Sequence, residues 1–287
     1  MNDPLFQTVI RQRRSVRKFE KGRQVDREAL ERIVDCGRWA PSGANAQCFD
    51  FIVVEEEALR EKVMSVFLRQ AQRLVDHAKG FPAVQKTYLS NTVAIIIVLG
   101  DPRWKVCFPQ STTAELEQEY ANNNEAIFLC SVGAAIQNIQ LGVSAEGLTS
   151  AWLSGGGEDA TNAELSELLG YPDWMAAYGT IPIGYPAVTQ NRRYRRPLSQ
   201  CLHWNGYQAN QYRTHEQVDF YESTLRPFVM YRDEENIQSW KDRKEKLGEW
   251  DESFTGQNAN PGGELQGYAD FSKPRTTGRA TRRRQKE

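Results

Sequence analysis

Arg13-Arg14-Ser15-Val16-Arg17 places three guanidinium groups and a hydroxyl within five residues. Arginine presents charged donors in a fixed fork and serine adds a neutral one, a donor set suited to a phosphate dianion. A solvated basic loop has the same composition, so this string alone leaves both readings open. A second run, Arg192-Arg193-Tyr194-Arg195-Arg196-Pro197, read alone is also a surface charge run. Two such clusters beside expected core elements, in a chain of formal charge −1, make their convergence on one dianion a reasonable expectation.

Two more strings have site-forming composition. Ala40-Pro41-Ser42-Gly43-Ala44-Asn45-Ala46-Gln47 is a turn-rich loop whose backbone amides, one hydroxyl and two carboxamides suit a flat ring edged with heteroatoms. Ser154-Gly155-Gly156-Gly157 leaves its backbone N–H groups open to close approach, because glycine carries no Cβ. An ordinary helix–strand connection and a flexible turn are the alternatives. The phosphate loop G-x-x-x-x-G-K-[ST], G-x-G-x-x-G after a strand, H-E-x-x-H and G-x-S-x-G are all absent from the sequence. The three histidines, His77, His203 and His215, lack metal-ligand spacing, and no metal is expected.

The elements that must position these strings are legible from caps and periodicity. Asp3-Pro4 opens a first helix that ends near 13–15, with Arg13 extending the face of Leu5 and Val9. A second helix starts at Asp26, carries Leu30, Ile33, Val34 and Gly37 on one face, and stops before Pro41. Residues 49–54 and 93–99 read as buried strands, with a mostly helical stretch over 55–77 between them. Residues 125–146 form a long helix, apolar on nearly all sides, in which Gly133, Ala134 and Ala135 permit close packing. A short strand over 149–153 leads into the glycine string, Thr161-x-x-Glu164 reads as a capping box, and Gly170 ends that helix. Residues 179–184 form a further strand, and amphipathic helices are expected near 216–225 and 234–247. Without regular strand–helix alternation, the favoured class is α+β.

Composition sets outer limits. The chain has 287 residues, 40 % apolar and 25 % charged, which is ordinary globular usage. Residues 256–287 carry seven basic side chains against three acidic ones, a net +4 concealed in the total of −1. That segment is also poor in aliphatic residues, which points to an extension that is flexible or draped on a partner. A chain-wide basic excess is absent, so no nucleic-acid partner is expected. The longest apolar run, 93–99, is too short to span a bilayer, and five scattered cysteines without C-x-x-C spacing suit reduced thiols, so a soluble, cytoplasmic protein is expected.

Taken in order, R-R-S-V-R, A-P-S-G-A-N-A-Q, the Ala/Gly-rich helix with Gln137-Asn138, G-L-T-S-A-W-L, I-P-I-G-Y-P and R-Y-R-R-P-L closely resemble the FMN-dependent nitroreductase family over about residues 5–205. The resemblance implies an α+β fold, a central, mainly antiparallel sheet flanked by helices, in an intertwined homodimer with FMN sites at the interface. It implies an FMN-binding domain over 1–205, a helical extension over 206–255, and the basic tail over 256–287. It implies that Arg13, Arg14 and Ser15 hold the phosphate and ribityl chain, with Arg193 and Arg195 closing on the same phosphate. Arg17 would lie near the pyrimidine edge, where positive charge stabilises the anionic reduced ring. Pro41, Ser42, Asn45 and Gln47 would surround the isoalloxazine and the neighbouring subunit, and Ser154, Gly155 and Gly156 would lie near N5.

The implied activity is ping-pong hydride transfer from NAD(P)H through FMN to a small aromatic acceptor, nitroaromatic or quinone-like. Reductive dehalogenation, other specialised flavin chemistry, or flavin binding without turnover are the alternatives. Tyr88, Trp104, Phe108 and Tyr120 are candidates for stacking on such an acceptor, with core packing the alternative for each. Cys48-Phe49 stands where the family often has Pro-Trp; Cys48 reads as a small packed thiol, or a group near the interface or flavin. The extension after Trp204 exceeds that of compact members.

Overall fold

In the computed structural model, residues 4–77, 86–107, 113–188, 198–208 and 213–220 are described. Four strands, β1 (Phe49–Val54), β2 (Ala94–Gly100), β3 (Thr149–Ser150) and β4 (Ala176–Gly184), form an antiparallel sheet in the order β1-β2-β4-β3. Strand β2 is Ala-Ile-Ile-Ile-Val-Leu-Gly and is buried along its whole length. Because successive side chains of a strand point to opposite faces, such a strand needs cover on both sides. Ala94, Ile96 and Val98 pack into one cluster, and Ile95, Ile97 and Leu99 into another.

Helices supply both covers. On the first face lie α2 (Arg27–Arg38) and α5 (Ala114–Ala145), through Leu30, Ile33, Ile136, Ile139 and Val143. On the second face lie α3 (Glu57–His77) and α6 (Asp159–Leu169), through Val63, Val66, Phe67 and Leu165. The short helices α1 (Pro4–Gln12) and α4 (Trp104–Cys107) pack against α5. The α+β class with a central antiparallel sheet holds.

Close approach of α2 and α5 occurs at Gly37 and Gly142. A Cβ on Gly37 would stand 2.7 Å from Ile139 Cγ1, and one on Gly142 3.1 Å from Cys36 Sγ. Of the three small residues expected to permit close packing, Ala135 is fully buried in the first-face cluster and Ala134 packs against it, whereas Gly133 faces open space. Nor is α5 enclosed all round: Leu129 is 45 % exposed, and the acidic turns from Glu115 onward face solvent. The sequence period marks what is apolar, and α5 carries more apolar surface than one chain covers. By length and composition α5 could cross a membrane, yet it packs on α2 with Asn124, Ser131 and Gln140 buried.

The expected capping box at Thr161 is not one. Helix α6 begins three residues earlier, with Glu158 at its N-cap, and Thr161 is fully buried. Arg73 Nη2 donates to Thr161 Oγ1 at 2.8 Å, and Glu164 accepts from Arg69 Nε at 2.7 Å and Arg73 Nη1 at 3.0 Å. These bonds tie α6 to α3. Gly170 ends α6 in the left-handed region, as expected.

The chain divides after Thr189. In the second unit, α7 (His215–Phe220) starts with a reciprocal cap: Gln217 N donates to Thr214 Oγ1, and Thr214 N to Gln217 Oε1. The helix expected over 216–225 thus begins at His215, and the one over 234–247 lies outside the described residues.

Two predictions follow from this packing. Ile139→Ala, at a fully buried position against Gly37, lowers unfolding free energy by about 2–5 kcal/mol in urea titrations; a loss within error of zero would contradict the packing. Burial raises the Glu164 pKa, but Arg69 and Arg73 outweigh it and hold the carboxyl below its ordinary value. Stability from this group is therefore present above the ordinary glutamate range and lost as pH falls through the depressed value. Glu164→Gln accordingly flattens the acid limb of a stability–pH curve, and coincident limbs would refute the assignment.

Candidate functional site

Helix α1 ends at Gln12, and Arg13 N still bonds Val9 O at 3.0 Å. The chain then lies parallel to β3: Ser15 bridges Ser150, and Val16 N donates to Ser150 O at 2.9 Å. Val16 is buried, so strand alternation turns its neighbours Ser15 and Arg17 outward. Arg13 Nη1 reaches Gln140 Oε1 on α5 at 3.4 Å, and Arg14 Nη1 folds back on the carbonyls of Arg11 and Arg13 at 2.5 and 2.8 Å. Arg13, Arg14 and Ser15 therefore meet where α1, α5 and β3 converge.

Four residues beyond Ser150 the chain reaches Ser154. Leu153 and Thr180 exchange backbone hydrogen bonds of 2.9 and 3.0 Å, and Gly155–Gly157 then form a single 3₁₀ turn. The turn packs closely on the core: a Cβ on Gly155 would stand 2.9 Å from Gln70 Nε2, and one on Gly156 3.2 Å from Ala177 O. At about 3.3 Å per extended residue, the two groups lie roughly 13 Å apart along one stretch of backbone. A single elongated ligand with an anionic end can span them. Ser150 Oγ and Thr180 Oγ1, at the two ends of this stretch, are buried hydroxyl oxygens without a hydrogen-bond partner.

The Pro41–Gln47 loop is held elsewhere. Ala44, Asn45 and Gln47 all have positive φ, at 48°, 54° and 48°, a conformation rarely adopted by residues with a Cβ. Hydrogen bonds hold it: Gln47 N donates to Ser42 Oγ at 2.9 Å, and Gly43 N to Ser131 Oγ at 3.1 Å. Asn45 and Gln47 face outward. Ser131 and Gln140 are nine residues apart on α5, or about 14 Å along its axis. One chain thus brings the Arg13–Ser15 corner and the glycine turn onto one backbone stretch but anchors Pro41–Gln47 at a separate point of α5.

Other expected residues sort by burial. Tyr88 is buried beside Phe19, and burial raises its phenol pKa while the Arg17 guanidinium opposes this. Trp104 is half-buried on the core side of α4, and Tyr120 is exposed. Cys48 is buried; burial pushes its thiol pKa up, against the neighbouring Ser131 hydroxyl, as for a packed, unreactive thiol. Arg193, Arg195 and Phe108 lie outside the described residues.

Sequence reading passed over Gln70, Ser131 and Gln140. Each is a polar residue at a core-facing helical position: Val63, Val66, Phe67 and Gln70 follow the i, i+3, i+4, i+7 pattern, and Gln140 follows Ile136 and Ile139. A buried polar side chain must find partners, so polar residues in an apolar stripe were the available signal.

Known proteins share this fold. An NADPH-dependent oxidoreductase of Staphylococcus aureus (strain MRSA252) is 23 % identical over 261 residues, covering 90 % of this chain and 94 % of its own length. The structure of oxidized iodotyrosine deiodinase bound to FMN and 3-iodo-L-tyrosine superposes with a TM-score of 0.55 at 21 % identity, over 70 % of this chain and all of that one. Nitroreductase A from Vibrio parahaemolyticus RIMD 2210633 gives 0.55 at 20 % identity, over 83 % and 90 %. The nitroreductase family pattern itself matches residues 10–185, the span that contains the sheet, both helical layers, the arginine corner and the glycine turn, and the chain belongs to that family.

Proposed function

We propose that the protein is an FMN-dependent oxidoreductase that uses NAD(P)H to reduce a small aromatic acceptor, nitroaromatic or quinone-like, at sites shared between two copies of the chain. The observation that carries this reading is the single backbone stretch with Arg13, Arg14 and Ser15 at one end and the Ser154–Gly157 turn at the other. The residues present fit the cofactor. An arginine pair with a serine suits a phosphate, a glycine turn pressed on the core leaves its outer backbone for a ring, and the buried hydroxyls of Ser150 and Thr180 mark both ends as polar. The names of the Staphylococcus oxidoreductase and of the FMN-bound deiodinase structure support the donor and the cofactor.

FMN, when bound, supplies the hydride-accepting and hydride-donating chemistry. The chain supplies position and charge. Arg13, Arg14 and Ser15 hold the phosphate end, with Arg193 and Arg195 as the second bracket. Arg17 sets positive charge toward the pyrimidine edge, and Ser154, Gly155 and Gly156 offer backbone donors. Pro41, Ser42, Asn45 and Gln47 come from the second copy, since their anchor on α5 lies apart from the phosphate corner. The exposed apolar side chains Leu5, Phe6, Ile10 and Leu129 on α1 and α5 are surface for that copy to cover. In this reading residues 1–205 form the FMN-binding domain, 206–255 a helical extension that shapes substrate access, and 256–287 an appended tail.

These measurements test the proposal. Purified protein is yellow or becomes so with added FMN, and NADPH or NADH bleaches it; a colourless protein that cannot be reconstituted refutes the reading. Arg13→Ala with Ser15→Ala weakens FMN binding by a factor of about 100, the scale of two lost hydrogen bonds to a charged group, measured by fluorescence quenching. Sedimentation gives a dimer. Turnover of menadione or a nitroaromatic with NAD(P)H separates the oxidoreductase from a flavin-binding protein without turnover, and halide release from a halogenated phenol marks the dehalogenase alternative.

A further inference from the structure

Beneath the glycine turn runs a chain of polar groups that neither the sheet nor the helices need for their own packing. Gln70 occupies a core-facing position of α3 and is only 2 % exposed. Lys86 Nζ donates to Gln70 Oε1, and Gln70 Nε2 donates to Glu158 Oε1 at 2.7 Å. Lys86 Nζ also lies 5.0 Å over the Phe67 ring, and burial lowers its pKa while Glu158 opposes the shift. A cation on one side and a carboxylate on the other leave the amide one orientation only, oxygen toward Lys86 and nitrogen toward Glu158.

This amide is the floor on which the turn rests. A Cβ on Gly155 would stand 2.9 Å from Gln70 Nε2, and Glu158 N closes the turn by donating to Gly155 O at 3.3 Å. The polar chain therefore meets the turn at both ends: Gln70 packs beneath Gly155, and Glu158, which accepts from Gln70, closes the turn through its own backbone N–H. An apolar side chain would fill the same space but could not link half-buried Lys86 to exposed Glu158.

We propose that Gln70, polarised between Lys86 and Glu158, is a positioning residue that sets the depth of the Gly155–Gly157 turn and thereby the affinity and reduction potential of the bound flavin. This rests on the FMN reading above.

The test is a polarity swap in the full-length chain. Gln70→Glu opposes the carboxylate of Glu158. Adding Glu158→Gln restores the relay, because the introduced amide donates to the introduced carboxylate, which still accepts from Lys86. In flavin-free protein, Gln70→Glu speeds amide hydrogen exchange at residues 155–158, and the double substitution returns it to the wild-type rate. FMN, added as the probe, binds about tenfold more weakly to the single variant and regains its affinity in the double, the scale of one lost hydrogen bond. The midpoint potential of the bound flavin shifts and returns in the same order. Gln70→Met, which removes the amide without adding charge, moves exchange and affinity in the same direction as Gln70→Glu.

Unchanged exchange in both single variants overturns the proposal, as does failure of the double substitution to restore it. Faster exchange with unchanged affinity and potential makes Gln70 an ordinary brace and also overturns it. Wild-type protein that takes up no FMN refutes the functional reading itself, a result distinct from wild type that binds FMN beside variants that bind it equally well.

Discussion

A strand with no solvent face organises this molecule. Ile95, Ile96 and Ile97 of β2 are successive, fully buried side chains, so alternation sends apolar bulk to both sides of the sheet. Each side then demands a helical layer, and the two layers carry different parts of the site. The α2/α5 layer brings Gln140 to Arg13 and Ser131 to the Pro41–Gln47 loop. The α3/α6 layer brings Gln70 and Glu158 under the glycine turn. The sheet itself, through β3 and β4, holds Ser15 and Leu153 in backbone pairing. Side chains distant in sequence are thus placed by one packing requirement.

The site shows where local rules yield to placement. Three residues with positive φ stand within four positions at Ala44, Asn45 and Gln47, where glycine would be easier. Such strain persists only where neighbours over-determine the conformation, and here bonds to Ser42 and Ser131 do so. The loop presents its carboxamides outward, on a surface that lies away from the Arg13–Ser15 corner of the same chain. In the proposed reading a second copy would sit on the apolar surface left bare on α1 and α5, and the loop would face that chain's flavin.

How much of this was legible in the sequence depends on how local each signal is. The strands at 49–54 and 179–184, the stop of α6 at Gly170 and the turn at Ser154–Gly157 follow from composition and neighbours, and the structure keeps them within a few residues. The capping box at Thr161 failed because the same residues serve the tertiary link from Arg73 and Arg69, an arrangement that no local pattern encodes. Of the small residues of α5, Ala135 packs in the core while Gly133 faces open space, because a helix shows its small residues but not which of them faces a neighbour. Arg13 and Ser15 could be named as candidates from residue type, whereas Gln140, 127 positions from its partner Arg13, could be suspected only as a polar interruption in an apolar stripe.

The central claim, that one chain grips the phosphate while the other closes on the ring, is tested most directly by subunit mixing. One parent carries Arg13→Ala and Ser15→Ala; the other carries Asn45→Leu and Gln47→Leu. FMN is held at a concentration at which neither parent dimer binds. After unfolding and joint refolding, mixed dimers contain one site in which both halves are intact, and FMN binding reappears. Binding that stays absent from mixtures in which mixed dimers are shown to form would contradict the shared site.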